Sequence, residues 1–277
     1  MFWQTTRHRI DLARPRVMGI VNVTPDSFFD GGRHLASDAA RAHCDRLVQE
    51  GADMLDVGGE STRPGAQAPS VQEEIDRVLP VLEHACTLGV PVSVDTSSPA
   101  LMRAALNAQA DIVNDVRALR RPGALEVVAG HPSCGVCLMH MLGEDPATMQ
   151  QAPVYDDVVA EVATFLQERM HTLQRAGVPA QRVVLDPGIG FGKTGPHNWE
   201  LMQRQAEFAR LGRPLLVGWS RKSMLGVLIK REASERLPAS LAAALAAVQR
   251  GAHIVRVHDV AATVDALAVW RRSGLAP

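Results

Sequence analysis

Asp56, Asp95, Asn114 and Asp186 each close a short apolar run in this 277-residue chain, and Lys222 follows another such run. Any one of the four alone reads as a helix cap or a turn residue. Four of them together with a lysine are not explained by capping. A carboxylate accepts two hydrogen bonds or more, so the cluster suits a neutral heterocycle rich in N–H donors. A second set is built for anions. Arg256 and His258 alternate along the last apolar run and therefore share a side. With Asn22, which ends the first run, they make a compact anion site. The competing reading of Arg256 is a buried structural pair with Asp259.

These residues need elements to position them. The runs Val17–Val21, Asp53–Leu55, Pro91–Val94, Asp111–Val113, Val136–Met139, Val183–Leu185, Leu215–Val217 and His253–Val255 read as eight buried strands. His140 follows the fifth of them and counts among the polar strand ends. Between the runs, helical periodicity covers roughly 38–50, 71–88, 98–108, 122–129, 155–176, 197–211, 239–249 and 261–272. Start signals stand at Ser37-Asp38, at Ser70 with Glu73, at Ser98-Pro99 and at His197-Asn198. Strict strand–helix alternation calls for parallel pairing and right-handed crossovers. An open sheet would feed its ligand from a few strand ends at one switch point. Polar residues here follow nearly every strand, so the expected fold is a (β/α)8 TIM barrel, one domain over residues 1–277, with its site at one mouth.

Two connections, 23–36 after the first strand and 58–70 after the second, exceed the usual two to six residues and read as functional loops. The segment Leu241–Val248 is apolar almost all round, which means cover by neighbours or a subunit interface. Positive and negative side chains nearly cancel (29 against 30), which argues against a nucleic-acid partner held by bulk charge. No apolar run approaches a membrane span, and the first residues lack the apolar core of a secretory signal. Four cysteines without a disulfide framework point to a reduced, cytoplasmic setting.

Two motifs invite other chemistry. Asp186-Pro-Gly-Ile-Gly-Phe-Gly-Lys-Thr-Gly has Pro187 where a Walker A loop needs glycine, and its glycine spacing misses the dinucleotide fingerprint. A glycine-rich turn that admits a ligand ring and a purely conformational turn both remain open. Cys134-Gly-Val-Cys137, flanked by His131 and His140, has redox or zinc spacing. A single such pair inside a strand-like run, with no second ligand pair, favours a structural role.

The motifs Met18-Gly-Ile-Val-Asn-Val-Thr-Pro-Asp-Ser-Phe, Asp56-Val-Gly-Gly-Glu-Ser-Thr-Arg-Pro-Gly, Ser93-Val-Asp-Thr, Leu138-Met-His-Met, Asp186-Pro-Gly-Ile-Gly-Phe-Gly-Lys, Ser220-Arg-Lys-Ser and Ile254-Val-Arg-Val-His-Asp occur in this order. Together they resemble the dihydropteroate synthase family over about residues 10–270. The resemblance implies a TIM-barrel homodimer of folate biosynthesis and a target of sulfonamides. Its reaction joins 6-hydroxymethyl-7,8-dihydropterin diphosphate to 4-aminobenzoate and releases diphosphate and 7,8-dihydropteroate. By carry-over, Asp95, Asn114, Asp186 and Lys222 would read the pterin edge. Asn22, Thr62, Arg256 and His258 would hold the diphosphate, with Asn22 also contacting Mg²⁺. Phe28, Thr62, Arg63, Pro64 and Phe191 would shape the aminobenzoate pocket, and Ser223, at a helix start, would bind its carboxylate.

The catalytic group implied is Asp30, Lys222, Arg256 and His258. Loss of diphosphate from the CH₂ of an electron-rich dihydropterin suggests a dissociative, SN1-like path, with Asp30 stabilising the cation. An arylamine is neutral near pH 7 and needs no strong base, in line with the lack of a Ser-His-Asp or Cys-His arrangement. The chain departs from the family pattern at Phe29, Ile189 and Trp219, which bears on pocket shape and sulfonamide sensitivity. Two rivals differ in class. A methyltetrahydrofolate–corrinoid methyltransferase would share the acidic pocket but has no use for the Ser-Thr-Arg-Pro and Ser-Arg-Lys-Ser loops. A non-catalytic pterin-binding paralogue would be expected to have lost loop or anion-site residues.

Overall fold

The structure, a computed structural model, describes residues 1–24, 32–60, 69–144 and 148–274, with residues 32–36 described by their backbone alone. The chain opens with an antiparallel hairpin, β1 (Phe2–Gln4) and β2 (Arg9–Asp11). Eight parallel strands follow among the described residues. They are β3 (Arg16–Asn22), β4 (Met54–Gly58), β5 (Val92–Asp95), β6 (Ile112–Asp115), β7 (Gly135–Met139), β8 (Val183–Asp186), β9 (Leu216–Val217) and β10 (Ile254–Val257). Their order is β8-β7-β6-β5-β4-β3-β10-β9. The two ends of this series meet where Leu185 bridges Leu215 in parallel and its N–H donates to the Pro214 carbonyl at 3.0 Å. The sheet is therefore the expected barrel, joined at β8 and β9 by a narrow seam.

Helices alternate with the strands: α1 (Gly32–Gln49), α2 (Val71–Ala85), α3 (Pro99–Asn107), α4 (Ala124–Gly130), α5 (Val158–Arg175), α6 (Gly195–Gln203), α7 (Ser223–Ile229), α8 (Leu237–Gln249) and α9 (Val260–Arg272). Two sequence signals act as expected. Ser70 and Glu73 form a reciprocal capping box on α2, and Ser98 caps α3 with Pro99 in its first turn. Others do not. Ser37 and Asp38 lie inside α1, which begins at Gly32, so the first connection is shorter than 23–36. Thr194, not His197-Asn198, caps α6, with His197 as the reciprocal partner. The helix expected over 197–211 breaks into α6 and a 3₁₀ turn, Gln205–Leu211.

Inside the barrel the two-residue period of a strand sets the layers. Met18, Met54, Ile112, Cys137, Val184, Leu216 and Ile254 form one buried cluster with Trp3, Ile10 and Leu12 of the hairpin segment. The hairpin thus plugs the amino-terminal end of the barrel. Trp3 is fully buried, and its indole N–H donates to the Arg182 carbonyl at 2.8 Å. Two residues further along, the same strands present Asp56 after Met54, Asn114 after Ile112, Asp186 after Val184 and Arg256 after Ile254. The interior changes from hydrocarbon to charge in a single step. Outward-facing Val17, Val21, Leu55, Val57, Val92, Val94, Val113 and Val136 join the larger core between the sheet and its helices.

The structural reading of the cysteine pair holds. Cys137 sits in the inner apolar cluster and Cys134 in the outer one, and Cys44, Cys86, Cys134 and Cys137 are all free thiols. No described helix is long and apolar enough to cross a membrane.

Candidate active site

Asp56 and Asn114 lie within their strands, not after them, so both side chains sit deeper than the mouth. Arg256 comes up between two acids. Its Nε donates to Asp56 Oδ2 at 2.6 Å and its Nη2 to Asp95 Oδ2 at 2.8 Å. Asn114 Nδ2 donates to the same Asp56 oxygen at 3.1 Å, which leaves Asp56 Oδ1 buried without a partner. The alternative pairing of Arg256 with Asp259 does not occur. Asp259 accepts from Arg221 Nε and Nη2 at 3.0 and 2.5 Å. Among the described residues Arg256 Nη1 has no partner, so one edge of the guanidinium stays open to an anion.

Crowding of charge shapes each ionisation. Burial, and then the neighbouring Asp56 carboxylate, hold Asp95 above the usual carboxylate range despite its bond to Arg256. Two acids share one guanidinium, and the second ionises less easily. Burial raises Asp186 to about 6, opposed by the Gly188 N–H that donates to its Oδ1 at 2.7 Å. Lys222 is drawn down to about 8 by burial and by the Arg256 charge. Its ammonium lies 4.3 Å from the centre of the Phe191 ring, within cation–π range. The structure thus brings Asp95, Asn114, Asp186, Lys222, Phe191 and Arg256 into one neighbourhood. Asp56, counted in the acidic cluster but given no role from the sequence, is its hub.

His258 follows β10. Its backbone N–H donates to Ser220 Oγ at 3.2 Å, and that hydroxyl lies 3.0 Å from the ring Nδ1. Both contacts are satisfied when Ser220 donates to Nδ1, which leaves an Nε2–H donor on a neutral ring. Burial, and then Arg256, push His258 down to about 3. Asn22 and His258 line one cavity of about 520 Å³ that also meets Arg221, His43 and Glu50. Ser223 opens α7 as expected, but α7 has only 7 residues, so its helix dipole adds little to the serine hydroxyl and the free amides. Phe28, Phe29 and Asp30, and likewise Thr62, Arg63 and Pro64, lie outside the described residues.

Residues that sequence reading missed surround the glycine-rich turn after β8. Lys193, only 3% exposed, donates to His140 Nδ1, to the Gly188 carbonyl and to the Phe191 carbonyl, each at 2.9 Å. His140 therefore acts as a buried acceptor, held near 2 by burial and by the lysine charge. Lys193 stands in the quoted Gly-Phe-Gly-Lys string, but nothing in its spacing tells that the side chain turns back on its own loop. A Cβ on Gly188 would lie 1.9 Å from the His140 carbonyl oxygen, and Gly188 has φ of +69°. No other residue fits there. Trp219 stacks on Trp199 of α6 at 5.5 Å and belongs to the core between sheet and helices.

The profile of the family described as pterin binding enzyme matches residues 18–258. The dihydropteroate synthase of Escherichia coli (strain K12) is 52% identical over 261 residues, covering 94% of this chain and 92% of that one. The chain belongs to the dihydropteroate synthase family of pterin-binding enzymes. Solved structures agree. Dihydropteroate synthase of Xanthomonas albilineans with 4-aminobenzoic acid superposes with a TM-score of 0.91 at 53% identity, covering 97% of this chain and 96% of that one. Dihydropteroate synthase of Burkholderia cenocepacia complexed with 7,8-dihydropteroate gives 0.90 at 48% identity, covering 98% and 96%.

The neutral state of the half-buried His258 ring is testable. Its folded pKa lies below the unfolded value, so the ring stays uncharged as pH falls through 6.5 and its contribution to stability is lost between about 6.5 and 3. In ¹⁵N–¹H spectra the His258 ring should keep neutral-tautomer shifts from pH 8 to 5. A ring that titrates near 6.5 in the ligand-free protein would contradict the geometry.

Proposed function

We propose that this chain condenses 6-hydroxymethyl-7,8-dihydropterin diphosphate with 4-aminobenzoate, giving 7,8-dihydropteroate and diphosphate. The observation that carries the reading is the acceptor set Asp56, Asp95, Asn114 and Asp186 packed around Arg256 and Lys222, in a chain of this family. A pterin edge offers ring and amino N–H donors. Asp186, Asn114 and Asp95 would accept or pair with them, and Asp56 would hold Arg256 in place.

The anion half follows from the open donors. Arg256 Nη1 and His258 Nε2–H would meet the diphosphate, and both gain strength as negative charge builds on the departing oxygen. Thr62 is the further diphosphate contact proposed. Among the described residues no three His, Cys, Asp or Glu side chains form a metal cage. An ion at Asn22 would therefore rest on that hard carboxamide oxygen together with substrate phosphates and water, the manner in which Mg²⁺ is commonly held. When bound, Mg²⁺ supplies further neutralisation of the leaving group. A dissociative path suits a CH₂ attached to an electron-rich ring. Asp30 would stabilise the resulting cation, and Phe28, Thr62, Arg63, Pro64, Phe191 and Ser223 would seat the aminobenzoate. Lys222, between Asp186 and the Phe191 ring, would touch both substrates and align them.

The assay is direct: dihydropterin diphosphate, labelled 4-aminobenzoate and Mg²⁺ with the purified chain should give labelled dihydropteroate, and chelation of Mg²⁺ should suppress it. Folded protein that makes none overturns the enzyme reading. Product formation that survives full chelation overturns the metal reading alone.

Asp186 gives a pH signature. Ionised, its carboxylate is the stronger acceptor and offers both oxygens to pterin N–H donors, and its folded pKa is about 6. Affinity for the dihydropterin diphosphate should therefore rise as pH climbs toward 7 and level off above. Asp186→Ala should lower that affinity by about a hundredfold or more and abolish this part of the pH dependence. Calorimetry showing wild-type affinity in the variant would defeat the assignment.

A homodimer is the assembly we favour. Ser240, Ala243, Ala244, Ala247 and Val248 of α8 face the core, while Leu241, Leu245 and Ala246 stay half-buried. Next to them, Val227 and Leu228 of α7 are 80% and 64% exposed. An apolar face of this kind supports a partner subunit. Light scattering should report about twice the chain mass of 29.9 kDa, and a Leu228→Glu variant should shift toward one chain mass. A wild-type protein that stays at one chain mass at micromolar concentration rules the dimer out.

A further inference from the structure

The turn from Asp186 to Lys193 closes on itself where the Phe191 N–H donates to the Gly188 carbonyl at 3.1 Å and the Gly188 N–H to Asp186 Oδ1 at 2.7 Å, and side chains from outside the charged cluster hold the rest of it. Each of its carbonyls at Gly188, Gly190, Phe191 and Gly192 receives a side-chain donor. Lys193 serves Gly188 and Phe191, both at 2.9 Å. Gln150 Nε2 donates to the Gly190 carbonyl. Tyr155 Oη donates to the Gly192 carbonyl at 2.8 Å. Asn198 Oδ1 accepts the Gly190 N–H at 2.7 Å. The Phe191 ring rests against the cluster of Val116, Met139, Met141 and Met149, with the Lys222 ammonium above it.

Lys193 is costly where it stands. It is buried, and no carboxylate pairs with it among the described residues. Burial draws its ammonium down to about 7, opposed by the more distant Asp186 charge, and the charged form is favoured only when its hydrogens are used. Here three N–H bonds go to His140 Nδ1, Gly188 O and Phe191 O, a complete set for an ammonium. Packing alone would be met more cheaply by leucine or methionine. What an apolar residue cannot do is tie both ends of the Gly188–Phe191 turn to one point.

We propose that Lys193 is a positioning residue for the second substrate: by holding the Gly188 and Phe191 carbonyls together it sets the height of the Phe191 ring beneath Lys222. The inference rests on the reading above, in which Phe191 and Lys222 meet the aminobenzoate. The pterin side has an anchor of its own. Asp186 is the last residue of β8, its carbonyl accepts the His140 N–H at 3.0 Å, and its Oδ1 accepts the Gly188 N–H at 2.7 Å. Loss of Lys193 should therefore fall on Phe191 more than on Asp186.

The test is two-substrate kinetics on wild type, Lys193→Met and Tyr155→Phe, with calorimetry of dihydropterin diphosphate counting intact sites. Lys193→Met should raise the aminobenzoate KM by about tenfold or more while the dihydropterin diphosphate Kd stays within about threefold. A merely structural lysine would lower the number of intact sites and leave both constants unchanged in the remainder. If Lys193→Met does not fold, Tyr155→Phe, which removes one hydroxyl from the Gly192 carbonyl, should raise the aminobenzoate KM by about threefold. An active wild type whose folded variants keep the aminobenzoate KM, or change both constants in parallel, overturns this inference and leaves the reaction standing. An inactive wild type removes the reaction, and the inference falls with it.

Discussion

One guanidinium shared by two carboxylates governs this site. Arg256 rises from the last strand into the barrel and binds Asp56 at 2.6 Å and Asp95 at 2.8 Å. The pairing spans the inner face of the barrel, from β10 to β4 and β5. As a source of stability such a buried pair is weak, because desolvation of the ions consumes much of the Coulomb gain. Its consequence is electrostatic. Arg256 opposes the upward push that burial and Asp56 give Asp95, makes Lys222 easier to neutralise, and keeps Nη1 unpartnered among the described residues. Removing the arginine would leave three acids facing one another, an arrangement that forces at least one of them to take up a proton.

The layer beneath explains why this charge is tolerable. Met54, Ile112, Val184 and Ile254 sit one strand repeat below Asp56, Asn114, Asp186 and Arg256, and Trp3 closes the end behind them. Water is kept from the lower barrel, and the polar layer is held by strands on every side. Groups that read a substrate edge gain from this rigidity, since a shift of an ångström spoils a hydrogen bond. Asn22 and His258, past the charged layer, line an open cavity.

Much of this was legible in the sequence because strands write their two faces alternately. Met54-Leu-Asp56 and Ile254-Val-Arg256 carry both layers of the barrel in three letters each. Partner choice was not legible. Asp259 is closer to Arg256 along the chain than Asp56 is, yet the strand aims Arg256 inward while Asp259 lies past its end and meets Arg221. The helix start at Ser37-Asp38 was misread for a related reason. A good cap sequence also fits inside a helix, and tertiary context decides whether it is used. The hairpin left no signal because strands of three residues are too short to show a period.

The glycine-rich turn shows where a motif stops informing. Its glycines can be derived: at Gly188 a side chain would collide with the His140 carbonyl, and at Gly192 one would lie 2.4 Å from Leu142 Cβ. From the letters alone, these residues permit a ligand ring or a tight backbone equally. The choice is made by residues up to forty positions away, Gln150 and Tyr155, and by a lysine that folds back on its own loop. Glycine grants a loop the freedom to take an unusual path but does not hold it there. Holding it requires donors for each exposed carbonyl, and a buried ammonium supplies three in one side chain.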